Sequence, residues 1–181
     1  MTVSAKYRRS ESNVANLYDF FEQDHRRLED LFKRATESPE KVNQELYAEF
    51  RKGILRHISM EEKFVIPMIL AMRGSPLHIA RQLRFEHGAI VALLVPPPGK
   101  GIIGALQKVM AHHHQLEEGT GGLYESCERY AGEEAAQVLD KSRGLPEVPV
   151  LPHNPDAVAY EAASRTLARA GFTVSADELR A

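Results

Sequence analysis

Two stretches of the chain repeat one chemical phrase. His57 is followed four residues later by Glu61 and then Glu62, and His113 four residues later by Glu117 and then Glu118. Four residues is a little over one helical turn, so imidazole and carboxylate share a face and can reach one cation. Two further histidines, His25 and His87, stand in segments of their own. Imidazole nitrogens cap transition-metal ions and carboxylates bridge pairs of them, the donor chemistry of di-iron and di-manganese helical bundles. His25, His57, Glu61, His87, His113 and Glu117 are therefore the candidate metal ligands.

The apolar pattern places all six indoors. Val14, Leu17, Phe21, Leu28 and Phe32 recur at helical spacing, and His25 fills the missing place. Phe50 and Ile54 lead to His57 and Glu61 and on to Phe64 and Met68; Ala80 and Leu83 lead to His87, Ile90 and Leu94. Ile103, Leu106 and Met110 lead to His113, Glu117 and then Tyr124. A lone core histidine is ordinarily satisfied by a neighbour, and a lone His-x-x-x-Glu pair is ordinarily a surface ion pair. Recurrence on four segments is different, because unpartnered buried charges are costly and a shared cation compensates them together. Within the run His112-His113-His114, the pair His114/Glu118 has the same spacing; three- and four-residue steps from Leu106 and Met110 arrive at His113. His78 and His153 lie off any stripe and are expected to be exposed.

These residues need four helices to carry them. Ser38-Pro39-Glu40, Gly74-Ser75-Pro76 and Pro96-Pro97-Pro98-Gly99 punctuate the chain, with the second helix starting at the first of these breaks. Pro67 should kink or end that helix. The expected fold is all-α: an antiparallel up-down-up-down four-helix bundle over 13–131, after a flexible arm at 1–12 and before an extension over 132–181. In the extension a short helix is expected over Glu133 to Ser142, then extended chain, then a helix from Asp156 to Ala170 stopped by Gly171. It either packs over the bundle or mediates self-association. Gly119, Gly121 and Gly122 cost a helix about 1 kcal/mol each relative to alanine, which signals either close backbone packing against the tail or an unwound path to the metals. Tyr18 and Tyr124, each seven residues from a candidate ligand, should face the metal side two turns away. Each either hydrogen-bonds a bound peroxide or ligand carboxylate, or is simply a core aromatic.

Composition excludes several functions. A formal charge of −2 over 181 residues offers no basic surface for nucleic acid or anionic lipid, and pairs such as Arg26-Arg27 read as solvated faces. No apolar run is long enough to span a membrane. Cys127 is the single cysteine, so no intramolecular disulfide exists, and the cytoplasm is the expected location.

As an ordered set, Gln23-Asp24-His25 with Leu28 and Phe32, His57 to Glu62 with Ile66-Pro67, Glu86-His87, and His113 to Glu118 with Leu123-Tyr124 resembles the haemerythrin-like HHE cation-binding family, over about Asn13 to Arg129. The resemblance implies two iron ions in an oxo- or hydroxo-bridged centre, with His25, His57, His87 and His113 as terminal ligands and Glu61 and Glu117 as bridges. It also implies a small ligand such as dioxygen, nitric oxide or peroxide; zinc or manganese can occupy such a site in recombinant material. One departure matters: oxygen-carrying members supply two histidines four apart on the third helix, and here Val91 follows His87 at that spacing and Leu83 precedes it. An open position, or a substitute such as Glu86 or water, hardens the site and favours the ferric state. That argues for sensing or handling of these ligands or of iron rather than simple oxygen carriage. The alternatives are a di-iron oxidoreductase, consuming peroxide or repairing iron centres, and a metal-free structural bundle; a protein partner or self-association is left open.

Overall fold

Helix boundaries follow from side chains that satisfy the end groups of each helix. In the computed structural model, which describes residues 16–38 and 41–181, every regular element among the described residues is helical. The arm at 1–12, Val14 and the expected helix start at Pro39-Glu40 lie outside the described residues. Helix α1, Leu17–Ala35, opens on Asn16, whose carboxamide oxygen accepts from the Asp19 N–H at 2.6 Å, and closes on Thr36, whose hydroxyl donates to the Phe32 carbonyl at 2.8 Å. Helix α2, Gln44–Met60, opens on Asn43, which accepts from the Leu46 N–H at 3.2 Å, so its capping residue lies beyond the expected break.

Pro67 does not end the second segment. Helix α2 runs into a π-helical turn, Glu61–Val65, and on into α3, Ile66–Arg73, which stops at Gly74 with φ +75°. The Ile66 N–H reaches back five residues to the Glu61 carbonyl. This wider spacing accommodates a ring that would strike the carbonyl four residues back and that has no N–H to give. The extra residue also shifts the buried face: Phe64, expected on the stripe, is only partly buried, while Val65 and Ile69 are fully buried.

Helix α4, Ala80–Leu93, and helix α5, Lys100–Glu118, supply the remaining candidate ligands; α1 packs on α2 and α4 on α5. The expected fourth helix is interrupted at 119–122 and resumes as α6, Leu123–Tyr130. Gly121 sits at φ +76°, and a Cβ on Gly122 would stand 2.6 Å from the Glu117 carbonyl. The glycines therefore serve close packing against the last turn of α5, not against the tail.

Two apolar clusters flank the centre of the molecule. One holds Leu28, Ile54, Ile90 and Met110; the other holds Phe21, Met60 and Leu83, with Leu116 packed on it. On each of the four segments the histidine falls between the two clusters, so the polar layer is sandwiched between apolar ends. Helix α7 spans Glu134–Gly144, close to its expected place. Helix α8, Ala157–Arg169, packs on α4, and helix α9, Ala176–Arg180, packs on α5. Ala163, Leu167 and Leu179 join the first apolar cluster, and a Cβ at Gly101 would run into the backbone of Glu178 and Leu179. Within the chain the tail packs over α4 and α5. No described helix is long and apolar enough to cross a membrane.

Candidate metal centre

All six candidate ligands converge. His25, His57, Glu61, His87, His113 and Glu117 are buried, and each donates one face of its side chain to a common centre. His25, His57, Glu61 and Glu117 offer donor atoms that all lie within 4.8 Å of one another, and so do Glu61, His87, His113 and Glu117. The two groups share both glutamates. Glu61 turns Oε1 toward His57 Nε2 at 3.4 Å and Oε2 toward His87 Nε2 at 3.2 Å. Glu117 turns Oε2 toward His25 Nε2 at 3.2 Å and Oε1 toward His113 Nε2 at 3.0 Å. Each carboxylate thus spans the two groups, one oxygen to each side.

The outer nitrogens of the histidines explain why Nε2 faces inward. His25 Nδ1 meets Glu118 Oε1 at 2.6 Å, His57 Nδ1 meets Asp24 Oδ2 at 2.9 Å, and His87 Nδ1 meets Glu62 Oε1 at 2.7 Å. A carboxylate only accepts, so Nδ1 carries a proton, and the neutral imidazole presents its Nε2 lone pair to the centre. His113 is held more loosely, its Nδ1 3.4 Å from Glu86 Oε2. A third layer neutralises the second: Arg27 pairs with Asp24 at 2.6 Å, Arg84 with Glu62 at 3.3 Å, and Arg26 with Glu118. Arg26 and Arg27, expected to be plain solvated charges, thus back two of the histidine partners.

The donor set fits a pair of metal ions. Glu61 Oε2, Glu117 Oε1, His87 Nε2 and His113 Nε2 are buried without a hydrogen-bond partner, although they lie close to one another. Buried polar atoms left unpaired cost free energy, and a cation between them supplies the missing partner. The same crowding shifts their protonation. Burial opposes the charged form of His57, yet the Glu61 charge and the Asp24 hydrogen bond outweigh it and raise the imidazole to about 9. Burial and the Glu117 charge push Glu61 up, but the neighbouring His57 and His87 prevail and hold it at about 2. Glu117 is likewise held well below the usual carboxylate range, against its burial, mainly by His113.

The neighbouring histidines separate cleanly. His113 enters the cluster; His114 stacks on the His25 ring with centroids 4.2 Å apart and meets Glu29 at 2.9 Å. Burial, with the charges of His25 and His113, drives His114 down to about 4. Glu86, weighed as a substitute ligand, faces the outer side of His113 and bonds His112 and Gln82, each at 2.7 Å. Val91 is exposed, so α4 brings a single imidazole to the centre. His78 is exposed as expected, whereas His153 is half-buried beside Tyr47. Cys127 is fully buried.

One feature escaped sequence reasoning. Asp24 lies directly before His25, and Glu62 and Glu118 directly follow the inward glutamates; this adjacency was the available signal for a layer of histidine partners. Of the two roles read for Tyr124, the hydrogen bond to a candidate-ligand carboxylate is the one the structure shows. The Tyr124 hydroxyl reaches the centre itself, donating to Glu61 Oε1 at 2.7 Å, because the break at 119–122 re-aims α6.

A chain whose described elements are all helical, with two buried histidine–carboxylate groups that share their carboxylates, has the build of a cation-binding helical protein. Residues 16–95 match the family model for the Hemerythrin HHE cation binding domain, which confirms over those residues the resemblance carried by the motifs. His25, His57, Glu61 and His87 fall inside the match, and His113 and Glu117 fall beyond it. No curated protein and no solved structure matches the chain.

Proposed function

We propose that the protein holds a non-haem di-iron centre on His25, His57, His87, His113, Glu61 and Glu117, and uses it to sense or handle dioxygen, nitric oxide, peroxide or iron. The observation that carries this reading is the sharing of both buried glutamates by two four-donor groups. A single-ion site needs neither the second group nor a carboxylate with one oxygen on each side. Iron suits the mixed imidazole and carboxylate donors, and zinc or manganese can take its place when more available. In this reading α1, the α2–α3 segment, α4 and α5–α6 are an antiparallel up-down bundle of residues 13–131, the chain after 132 is its cover, and the setting is cytoplasmic.

When bound, the iron pair supplies reversible electron transfer and open positions for a small ligand. The chain's own work is positioning and exclusion. Asp24, Glu62 and Glu118 hold three imidazoles at fixed tilt by accepting from Nδ1. The apolar layers around Phe21 and Leu83 on one side, and Ile54 and Ile90 on the other, keep bulk water from the polar layer. The single imidazole from α4 leaves fewer neutral donors than an oxygen carrier has, which favours the ferric state.

The test is anaerobic loading with ferrous iron, followed by dioxygen, peroxide and nitric oxide in turn, read by visible spectra. A reversible, ligand-dependent band in protein carrying iron supports sensing or handling. Fast catalytic loss of peroxide moves the protein to the oxidoreductase class, and failure to bind iron ends the reading.

A further inference from the structure

Tyr124 places its hydroxyl among four donor atoms of the centre at once. Its hydroxyl oxygen lies 2.7 Å from Glu61 Oε1, 3.1 Å from His25 Nε2, 3.2 Å from His57 Nε2 and 3.4 Å from Glu117 Oε2. A phenol has one proton to donate. With Nδ1 of His25 and His57 committed to carboxylates, all four of these neighbours present lone pairs when the imidazoles are neutral, the form that binds metal. One proton among five lone-pair atoms leaves most of the contacts unfavourable, whereas a cation among them makes every contact favourable. The spacing agrees: adjacent ligands at right angles on a metal with bonds of about 2.1 Å stand about 3.0 Å apart.

The ring is fixed there by packing. Tyr124 is fully buried, stacks on Phe21 with centroids 5.4 Å apart and meets Tyr18 edge-on at 5.9 Å. Had the fourth helix run on unbroken, Tyr124 would stand about 10 Å along the axis from Glu117. Across the glycine break the Tyr124 hydroxyl stands 3.4 Å from Glu117 Oε2. The asymmetry is also informative, since the hydroxyl belongs to the His25/His57 group and hydrogen-bonds neither histidine of the His87/His113 group.

Resting on the di-iron reading, we propose that Tyr124 is a direct ligand, through its phenolic oxygen, of the iron held by His25, His57, Glu61 and Glu117. It makes one half of the centre richer in anionic oxygen than the other. On coordination the phenolic proton leaves to solvent and the oxygen lone pair binds the metal; no electron is transferred. The interruption at 119–122 is then the element that delivers this ligand.

The experiment loads the full chain with ferrous iron, oxidises it, counts the metal, and records visible and resonance Raman spectra. The expected result is a phenolate-to-iron charge-transfer band whose excitation enhances tyrosine ring modes. Tyr124→Phe should lose band and modes while still binding two irons, and Tyr18→Phe should keep both, its hydroxyl being spent on the Glu118 carbonyl at 3.2 Å. If Tyr124→Phe fails to fold, Tyr124→His takes its place, offering a nitrogen ligand and no phenolate. Two irons without a phenolate band in the parent, or a band that survives loss of Tyr124, overturns this inference and leaves the di-iron reading standing. A parent that binds no iron overturns both.

Discussion

At the scale of single residues, the centre works by layers. Inner donors face one another, outer carboxylates fix the imidazoles, and arginines at the surface neutralise the carboxylates. Outer partners of metal-bound histidines typically contribute ~10- to 100-fold in affinity. Asp24→Asn should therefore weaken iron binding by about that factor while the protein stays folded, as measured by competition with a chelator of known affinity; unchanged affinity would remove Asp24 from the account. The metal-free protein has a definite pH dependence. His57 sits at about 9, above its ordinary 6.5, so its contribution is full below about pH 6.5 and lost as pH rises toward 9. Asp24 and Glu61 sit at about 2, below their ordinary 3.8 and 4.5, so theirs is present above about pH 4.5 and lost as pH falls toward 2. His114, held at about 4, works against stability as pH falls below 6.5, so the melting temperature of metal-free protein should be highest near pH 6.5. A melting temperature that climbs from pH 6.5 to 9 would contradict the ion pairs described.

At the scale of elements, two departures from regular α-helix and one helical glycine do the positioning. The π turn at Glu61–Val65 accommodates Pro67, the glycine break at 119–122 re-aims Tyr124, and Gly101 lets α9 lie against α5. Their effects were only partly legible in the sequence. Pro67 announced a disturbance, but whether a helix kinks, stops or widens depends on what packs beyond it, and here Val65 and Ile69 bury in place of Phe64. The glycines announced a close approach, but its partner was the last turn of α5, set by backbone path and not by any side chain. Gly101→Ala tests the third element: its Cβ must displace the backbone at Glu178 and Leu179. Overpacking of this kind costs about 1 to 3 kcal/mol. A denaturant titration should show that loss, and an unchanged midpoint would mean that α9 is not docked there.

At the scale of the whole molecule, the apolar stripes were enough to place six donors in one buried layer, because helical periodicity alone decides which side chain faces inward. The layer of histidine partners was not legible, since Asp24 and Glu118 lie partly toward solvent and carry no periodic signature. The covering of α4 and α5 by α8 and α9 was open for a similar reason: Ala163 and Leu167 make an apolar stripe that fits a partner chain as well as its own. Metal should tie these parts together thermodynamically. Ligand that binds only the native state stabilises it by about 2.7 kcal/mol when free metal stands about 100-fold above its Kd. Chelation should therefore lower the melting temperature, and re-addition of ferrous iron should restore it; a temperature indifferent to metal would mean that the centre is structural without metal.

The most direct test of the central claim is the count of iron per chain after anaerobic loading, in the parent and in Glu117→Ala. Two irons per parent chain, falling in the variant because both groups lose a shared donor, is the result this geometry predicts. One iron per chain, or a variant that binds as much as the parent, would contradict a centre built on shared carboxylates.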